Sequence, residues 1–338
     1  MEEIEDAFSE ESSFFRFPGK LGELVGNIER GWFVGITSTY KRGKTWFLQE
    51  IAVLSLLKHL KVAFFSLEMT KNTMKKRLYK RLTSLSFEEG SFIYPCFDCL
   101  KNQYNICDKL ERTNRLQLRK KGEDKPEFSE DLEYRPCTFC RKNSPEEYQP
   151  ETWFEIIRKP SLTMAQIRDE IETFQKYYGN NLRLMVYPKY SANSSDIMRD
   201  LDVLEQIDGF VPDVIIVDMA DAEKPERSGG NKLEQVEETW MSLARIGGER
   251  HAMIVTATQV VKGAMKKSRL EAEDSAFPVK LGQVDVMLGQ NQSKLEKRAG
   301  IMRINVMMNR HAEFDEEIDC TILQKLSHGQ VILDSEVI

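Results

Sequence analysis

The chain has 338 residues, of which 41% are hydrophobic and 30% charged, with a formal net charge of -6. That suffices for one large core, or one core plus a small appendage, and excludes a fibrous or disordered chain. No apolar run approaches the ~18 residues of a membrane span, and the start Met1-Glu2-Glu3-Ile4-Glu5-Asp6 is acidic where a secretory signal is basic, so no membrane partner and a cytoplasmic location are expected.

Residues 1–17 read as an acidic, Ser-rich tail, expected to be disordered unless Phe14, Phe15 and Phe17 close on the core. Residues 18–86 then alternate strand and helix. Trp32 to Thr37 is a buried strand, Trp46, Phe47, Ile51, Ala52, Leu54 and Leu57 recur at helical spacing, Lys61 to Ser66 is a second strand, and Lys71 to Leu85 a second helix. The regularity breaks over 87–150, a polar, Cys-bearing stretch read as an insertion. It resumes over 151–338 with helix Met164 to Tyr178, strand Leu182 to Tyr187, helix Ser195 to Ile207 and the apolar strand Val214 to Val217 ending at Asp218. Helix Leu233 to Arg250, strand Ala252 to Thr258 and closing strands at Met302 to Met307 and Glu316 to Leu323 follow. The fold class is therefore α/β with a mostly parallel central sheet, interrupted by one insertion.

Between the first strand and its helix lies Ser38-Thr39-Tyr40-Lys41-Arg42-Gly43-Lys44-Thr45. It matches the phosphate-cradling P-loop except that Ser38 stands where the pattern has its first Gly. Backbone N–H groups of such a loop converge on phosphate oxygens. Lys44 would reach the terminal phosphates and Thr45 would ligate Mg²⁺. Asp218, delivered at the C-terminal end of a strand too apolar to be exposed on either face, suits the carboxylate opposite Thr45 in that Mg²⁺ site. Glu68 ends the strand Phe64-Phe65-Ser66 and is the best candidate to orient an attacking water. Gln259 ends a later strand, where an amide can sense phosphate or water.

Taken together, the Gly-Lys-Thr, Phe65-Ser66-Leu67-Glu68-Met69, the strand ending at Asp218, Gln259 and Asn309-Arg310 resemble the RecA-like ATPase domain of DnaB-type replicative helicases, particularly compact phage and prophage forms. The resemblance spans roughly residues 18–85 and 160–335. It implies an ATP- and Mg²⁺-dependent homo-hexameric translocase on single-stranded DNA in a bacterial or phage-infected cytoplasm, with primase or a helicase loader as further partners. Glu68 would be the catalytic base, Arg77 would lie near the nucleotide, and Arg310 would be an arginine finger offered to the neighbouring subunit. Two positions depart from the family: Met308 where a Lys is usual, and Met219-Ala220-Asp221 where an aromatic-Leu-Gln is usual. Two other readings stay open: a RecA- or RadA-like filament-forming recombinase, and a zinc-containing DNA-binding assembly factor whose P-loop is a nucleotide switch.

Cys96-Phe97-Asp98-Cys99 and Cys137-Thr138-Phe139-Cys140 form two CxxC knuckles, which suit tetrahedral Zn²⁺, with Cys107 as a possible replacement ligand. With little apolar content of its own, the insertion would draw much of its folding energy from the metal. Its basic run, Arg112, Arg115, Arg119, Lys120, Lys121 and Lys125, fits nucleic-acid contact or a solvated helix face equally well. Lys262, Lys266, Lys267 and Arg269 make the loop after Gln259 basic, suiting it to track single-stranded DNA phosphates.

Overall fold

Hydrophobic patterning in this chain resolves into two strand populations, one buried on both faces and one buried on a single face. The computed structural model describes residues 13–84, 90–159, 163–225, 229, 231–260, 263–264, 267–274 and 280–338. In chain order the strands are β1 (Ser13–Arg16), β2 (Asn27–Glu29), β3 (Phe33–Ser38), β4 (Val62–Ser66), β5 (Gly90–Cys99), β6 (Pro150–Lys159) and β7 (Leu182–Val186). They continue with β8 (Val214–Asp218), β9 (Met253–Gln259), β10 (Val286–Asn291), β11 (Ile301–Asn309), β12 (Asp319–Lys325) and β13 (Gln330–Val337).

Nine of these form the central sheet in the order β13-β12-β11-β10-β3-β9-β8-β4-β7. From β10 through β7 every pairing is parallel, whereas β10 to β13 pair antiparallel. Every residue of β3, β4 and β8 is buried, as expected of parallel strands covered by helices on both faces. The helices start where side chains satisfy their free N–H groups. Asn193 and Asp196 form a capping box at the head of Ser194–Asp208, and Asn231 and Glu234 do so for Lys232–Arg250. Phe33 stacks on Trp240 at 5.3 Å between ring centroids, joining β3 to Lys232–Arg250 within the main core. Among the described residues no helix is long and apolar enough to cross a membrane.

Three expectations need correction. Phe14, Phe15 and Phe17 are all buried, and β1 pairs with β2, so the ordered body starts at Ser13 at the latest; residues 1–12 lie outside the described residues. Strands β10 and β13 are additional to the sequence expectation. β10 inserts beside the P-loop strand β3, and its pattern is interrupted by Gly289, where an added Cβ would collide with Asn305 Oδ1. Finally, the insertion is a ten-residue-armed antiparallel ribbon, β5 against β6, whose second arm runs to Lys159.

That ribbon carries its own core. Tyr94, Phe97, Tyr134 and Trp153 are buried, and Phe128 packs on Trp153 and Phe154. Asp98 is fully buried and accepts hydrogen bonds from Tyr134 Oη (2.6 Å), the backbone N–H groups of Cys99 (2.7 Å) and Cys137 (2.8 Å), and Asn102 Nδ2 (3.1 Å). The two CxxC segments are therefore tied by a carboxylate. Among the described residues no three Cys, His, Asp or Glu side chains are grouped to hold a metal ion, so the zinc tetrad of Cys96, Cys99, Cys137 and Cys140 is not supported. Cys96 lines a groove with Pro95, Arg141 and Glu155, while Cys140 has Cys99 and Cys107 in its electrostatic neighbourhood. The basic run is irregular chain with no helix. Arg112 is buried and donates to the Asn114 and Cys107 carbonyls, and Arg119 and Lys125 both pair with Glu151.

The insertion docks on the antiparallel edge of the sheet. Arg141 donates to both carboxyl oxygens of Asp334, to Glu336 Oε2 at 2.7 Å and to the Ser335 carbonyl at 2.9 Å. Its guanidinium also lies over the Phe97 ring at 5.1 Å. Tyr94 stacks on His328, a second contact across the junction.

Candidate nucleotide site

The loop from Ser38 to Thr45 leaves β3 at its C-terminal end and feeds directly into helix Lys44–Leu57. Gly43 takes φ 89° at the helix N-cap, a conformation glycine adopts without strain. Lys41 takes φ 60°, whereas Ser38 is regular strand, so the serine at the first P-loop position meets no left-handed requirement. Lys44 Nζ is curled into this cradle, 3.3 Å from Ser38 Oγ and 3.4 Å from the carbonyls of Ser38 and Thr39. Burial lowers its pKa to about 8, against the pull of Asp221, Glu68 and Asp218.

Thr45 Oγ1 donates to Asp218 Oδ1 at 3.2 Å, which joins the P-loop helix to the end of β8. Asp218 is 1% exposed, and its Oδ2 has no hydrogen-bond partner among the described residues. Burial raises its pKa to about 6, with the Thr45 hydrogen bond opposing and Glu68 adding to the shift. A buried, half-satisfied carboxylate beside a threonine hydroxyl fits a hard divalent cation, which supplies the missing charge and ligand position. Thr45 and Asp218 are therefore the pair that would hold Mg²⁺.

A cavity of about 460 Å³ opens over this loop, lined by Lys44, Thr45, Glu68, Arg77 and Gln259 among others. With Gly43, six sequence-predicted residues thus meet in one place, with Asp218 behind them. Glu68 Oε1 accepts from Lys189 Nζ at 2.7 Å, a pair in which both side chains are partly exposed. Arg77 sits over the Trp46 ring at 4.8 Å, and burial lowers its pKa. Two residues that the sequence reading missed also line the cavity: Gln292, and Lys297, whose Nζ donates to the Lys41 carbonyl at 2.8 Å. Both follow β10. Without that strand, nothing in the sequence brings them to the P-loop.

Arg310 lies elsewhere. β11 ends at Asn309, which pairs with Val286, and Val286 in turn pairs with Val34 near the start of β3. Arg310 is therefore at the opposite end of the sheet from the P-loop, where Nη2 donates to the Gly282 carbonyl at 2.5 Å. Next to it, His311 stacks on Trp32 at 4.2 Å and faces Asp285. Of the basic loop, Lys262 and Lys266 lie outside the described residues. Lys267 pairs with Asp274 at 2.9 Å, and Arg269 pairs with Asp319 at 2.7 Å.

No family model matches the chain, and no curated protein matches it in sequence. Solved structures do match in shape. One, described as an ATPase domain, superposes with a TM-score of 0.63 at 13% identity, over 99% of this chain and 95% of that one. The structure of a DnaB-like replicative helicase, described with its interactions with primase, gives a TM-score of 0.61 at 12% identity over 96% of this chain. This chain spans 66% of that longer protein. At such identity the likeness concerns architecture alone: the chain shares the α/β fold of these two structures, built on a nine-stranded, mostly parallel sheet.

Proposed function

We propose that the protein is an ATP-driven helicase or translocase on single-stranded DNA, serving DNA replication. The observation that carries this reading is the convergence of Lys44, Thr45, Glu68, Arg77 and Gln259 on one cavity at the C-terminal end of the parallel strands, with Asp218 buried behind Thr45. Open α/β sheets bind their ligands there, and the shape neighbours are an ATPase domain and a DnaB-like replicative helicase.

In this reading Lys44 leaves the Ser38 and Thr39 oxygens to meet the β and γ phosphates, while the N–H groups from Lys41 to Thr45 cradle them. Mg²⁺ bound by Thr45 and Asp218 would neutralise phosphate charge. Glu68, once released from Lys189, accepts the proton of the attacking water, and Gln259 hydrogen-bonds to the γ-phosphate side. Arg310 cannot reach its own chain's cavity from the far end of the sheet, which favours action in trans across an interface of a homo-hexamer. Single-stranded DNA would run past the segment after Gln259, including Lys262, Lys266, Lys267 and Arg269. Primase or a loader as partner is an extension from the neighbouring helicase.

Steady-state ATPase measured with and without single-stranded DNA tests the reading, alongside strand displacement on a forked duplex. DNA-stimulated turnover that vanishes in Lys44→Ala is the expected result. Turnover unaffected by that substitution, or none in the parent protein, would refute it.

A further inference from the structure

Asp221 stands where the resembled family has an uncharged side chain, and the cavity does not use it. Its two carboxyl oxygens face different parts of the chain. Oδ2 accepts from Thr258 Oγ1 at 2.6 Å and from the Gln259 backbone N–H at 3.2 Å, at the point where β9 ends. Oδ1 accepts from Lys280 Nζ at 2.8 Å. Lys280 also donates to Thr258 Oγ1, lies over the Trp240 ring at 5.3 Å and is 0% exposed. Gln259 and Lys280 bound the segment that carries the basic residues, so one carboxylate grips the chain where it departs and where it returns.

The same carboxylate is covalently close to the proposed Mg²⁺ ligand. Only Met219 and Ala220 separate it from Asp218, and both are buried. The link is stiff: Ala220 N–H donates to Thr256 Oγ1 at 3.1 Å, and that hydroxyl donates to the Val217 carbonyl at 2.7 Å. Within the segment, the described part is stitched to the sheet as well. Leu270 N–H donates to Asn291 Oδ1 and its carbonyl accepts from Asn305 Nδ2.

We propose that the Asp221–Lys280 pair is a positioning device that holds Thr258, Gln259 and Lys280 in register with Asp218, so that nucleotide occupancy and DNA engagement are thermodynamically coupled. A displacement of Asp218 on cation binding would pass along the buried turn to Asp221, and from there to Gln259 and Lys280 at once. Burial disfavours the Lys280 ammonium, and the facing Asp221 carboxylate opposes that effect. This inference rests on the ATPase reading.

The test measures binding rather than turnover. Affinity for a fluorescent, non-hydrolysable ATP analogue is titrated with and without saturating oligo-dT, in the parent, Lys280→Met and the Asp221→Asn/Lys280→Met pair. In the parent the oligonucleotide should change nucleotide affinity by a factor in the range of about 5 to 150, the usual size of such coupling. In both variants that factor should fall to about 1. The double variant removes the unpaired buried charge, so its thermal midpoint should return towards the parental value while coupling stays lost. A purely structural pair would recover both together, and a double variant coupled like the parent would overturn the proposal. A parent that binds both ligands without coupling would overturn it too. No analogue binding in the parent refutes the ATPase reading itself.

Discussion

Replacing Asp218 by Asn should stabilise the protein while removing its response to Mg²⁺. The folded environment raises this carboxyl from 3.8 to about 6, chiefly through burial. Because the folded pKa lies above the unfolded one, the native state binds the proton more tightly and loses stability as pH rises between those values. Above pH ~6 the full penalty applies, and two pKa units correspond to about 3 kcal/mol. That net shift already includes the opposing attraction of Lys44 and Arg77, and with relaxation around the site the expected gain is about 1–3 kcal/mol. For a chain of this length that amounts to a rise of about 2–6 °C in Tm. Thermal melts of Asp218→Asn and parent at pH 7.5 and pH 4.5 give the measurement. The gain should be present at pH 7.5 and shrink at pH 4.5, where the parental carboxyl already holds its proton. A variant melting at or below the parent at pH 7.5, or gaining equally at both pH values, would contradict the electrostatic account of the site.

Nucleotide affinity of the parent should fall above pH ~8, because Lys44 in its cradle loses its proton there; an affinity flat to pH 9.5 would argue against it. Glu68→Gln should retain nucleotide binding and lose hydrolysis by about 10²–10⁴-fold, whereas Lys189→Ala, which removes only a partly exposed pair, should change turnover by less than about five-fold. Arg310→Ala subunits should regain turnover when mixed with Glu68→Gln subunits, and no recovery in demonstrably mixed assemblies would exclude a finger in trans. Asp98→Ala removes four hydrogen bonds from a buried hub and should open the insertion to limited proteolysis while leaving nucleotide affinity intact.

The candidate cavity was legible in the sequence because Glu68, Asp218 and Gln259 lie at or just past the ends of apolar strands, and Lys44 and Thr45 follow another one in a P-loop pattern. Val214 to Val217 and Phe64 to Ser66 have no polar face, and the acid that follows each is fixed in space by the strand before it. Gln292 and Lys297 were not legible for the complementary reason. They depend on β10, whose sequence Val286-Met287-Leu288-Gly289-Gln290-Asn291 mixes a glycine and two amides into a buried strand. Asn291 is tolerated inside because its partners come from distant positions: it donates to Asn305 and accepts from Leu270, contacts that no local pattern announces. A strand built on long-range hydrogen bonds looks like a loop to any reading based on periodicity.

The insertion shows the same limit from the opposite direction. Paired CxxC motifs carry a strong expectation of zinc because thiolates at that spacing suit tetrahedral coordination. Yet the residue between Phe97 and Cys99 is an aspartate with no exposed surface, and its oxygens take the backbone N–H groups of Cys99 and Cys137. Backbone N–H groups at such knuckles need an acceptor, and here a carboxylate supplies it. The arrangement is stable only if the carboxylate is shielded and saturated, which Tyr134 and Asn102 accomplish through their own hydrogen bonds to Asp98. Burial pushes the Asp98 pKa up, and those four donors oppose the shift. The ordering of this segment then follows from a buried polar centre roofed by Trp153 and Phe128, and from Arg141 fastening it to Asp334 and Glu336 on the sheet edge. Loss of Arg141 should therefore loosen the ribbon on the edge, where Tyr94 still stacks on His328 and Lys325 still donates to the Ile93 carbonyl, without dissolving its core, because the Asp98 hub and the aromatic cluster lie within the insertion.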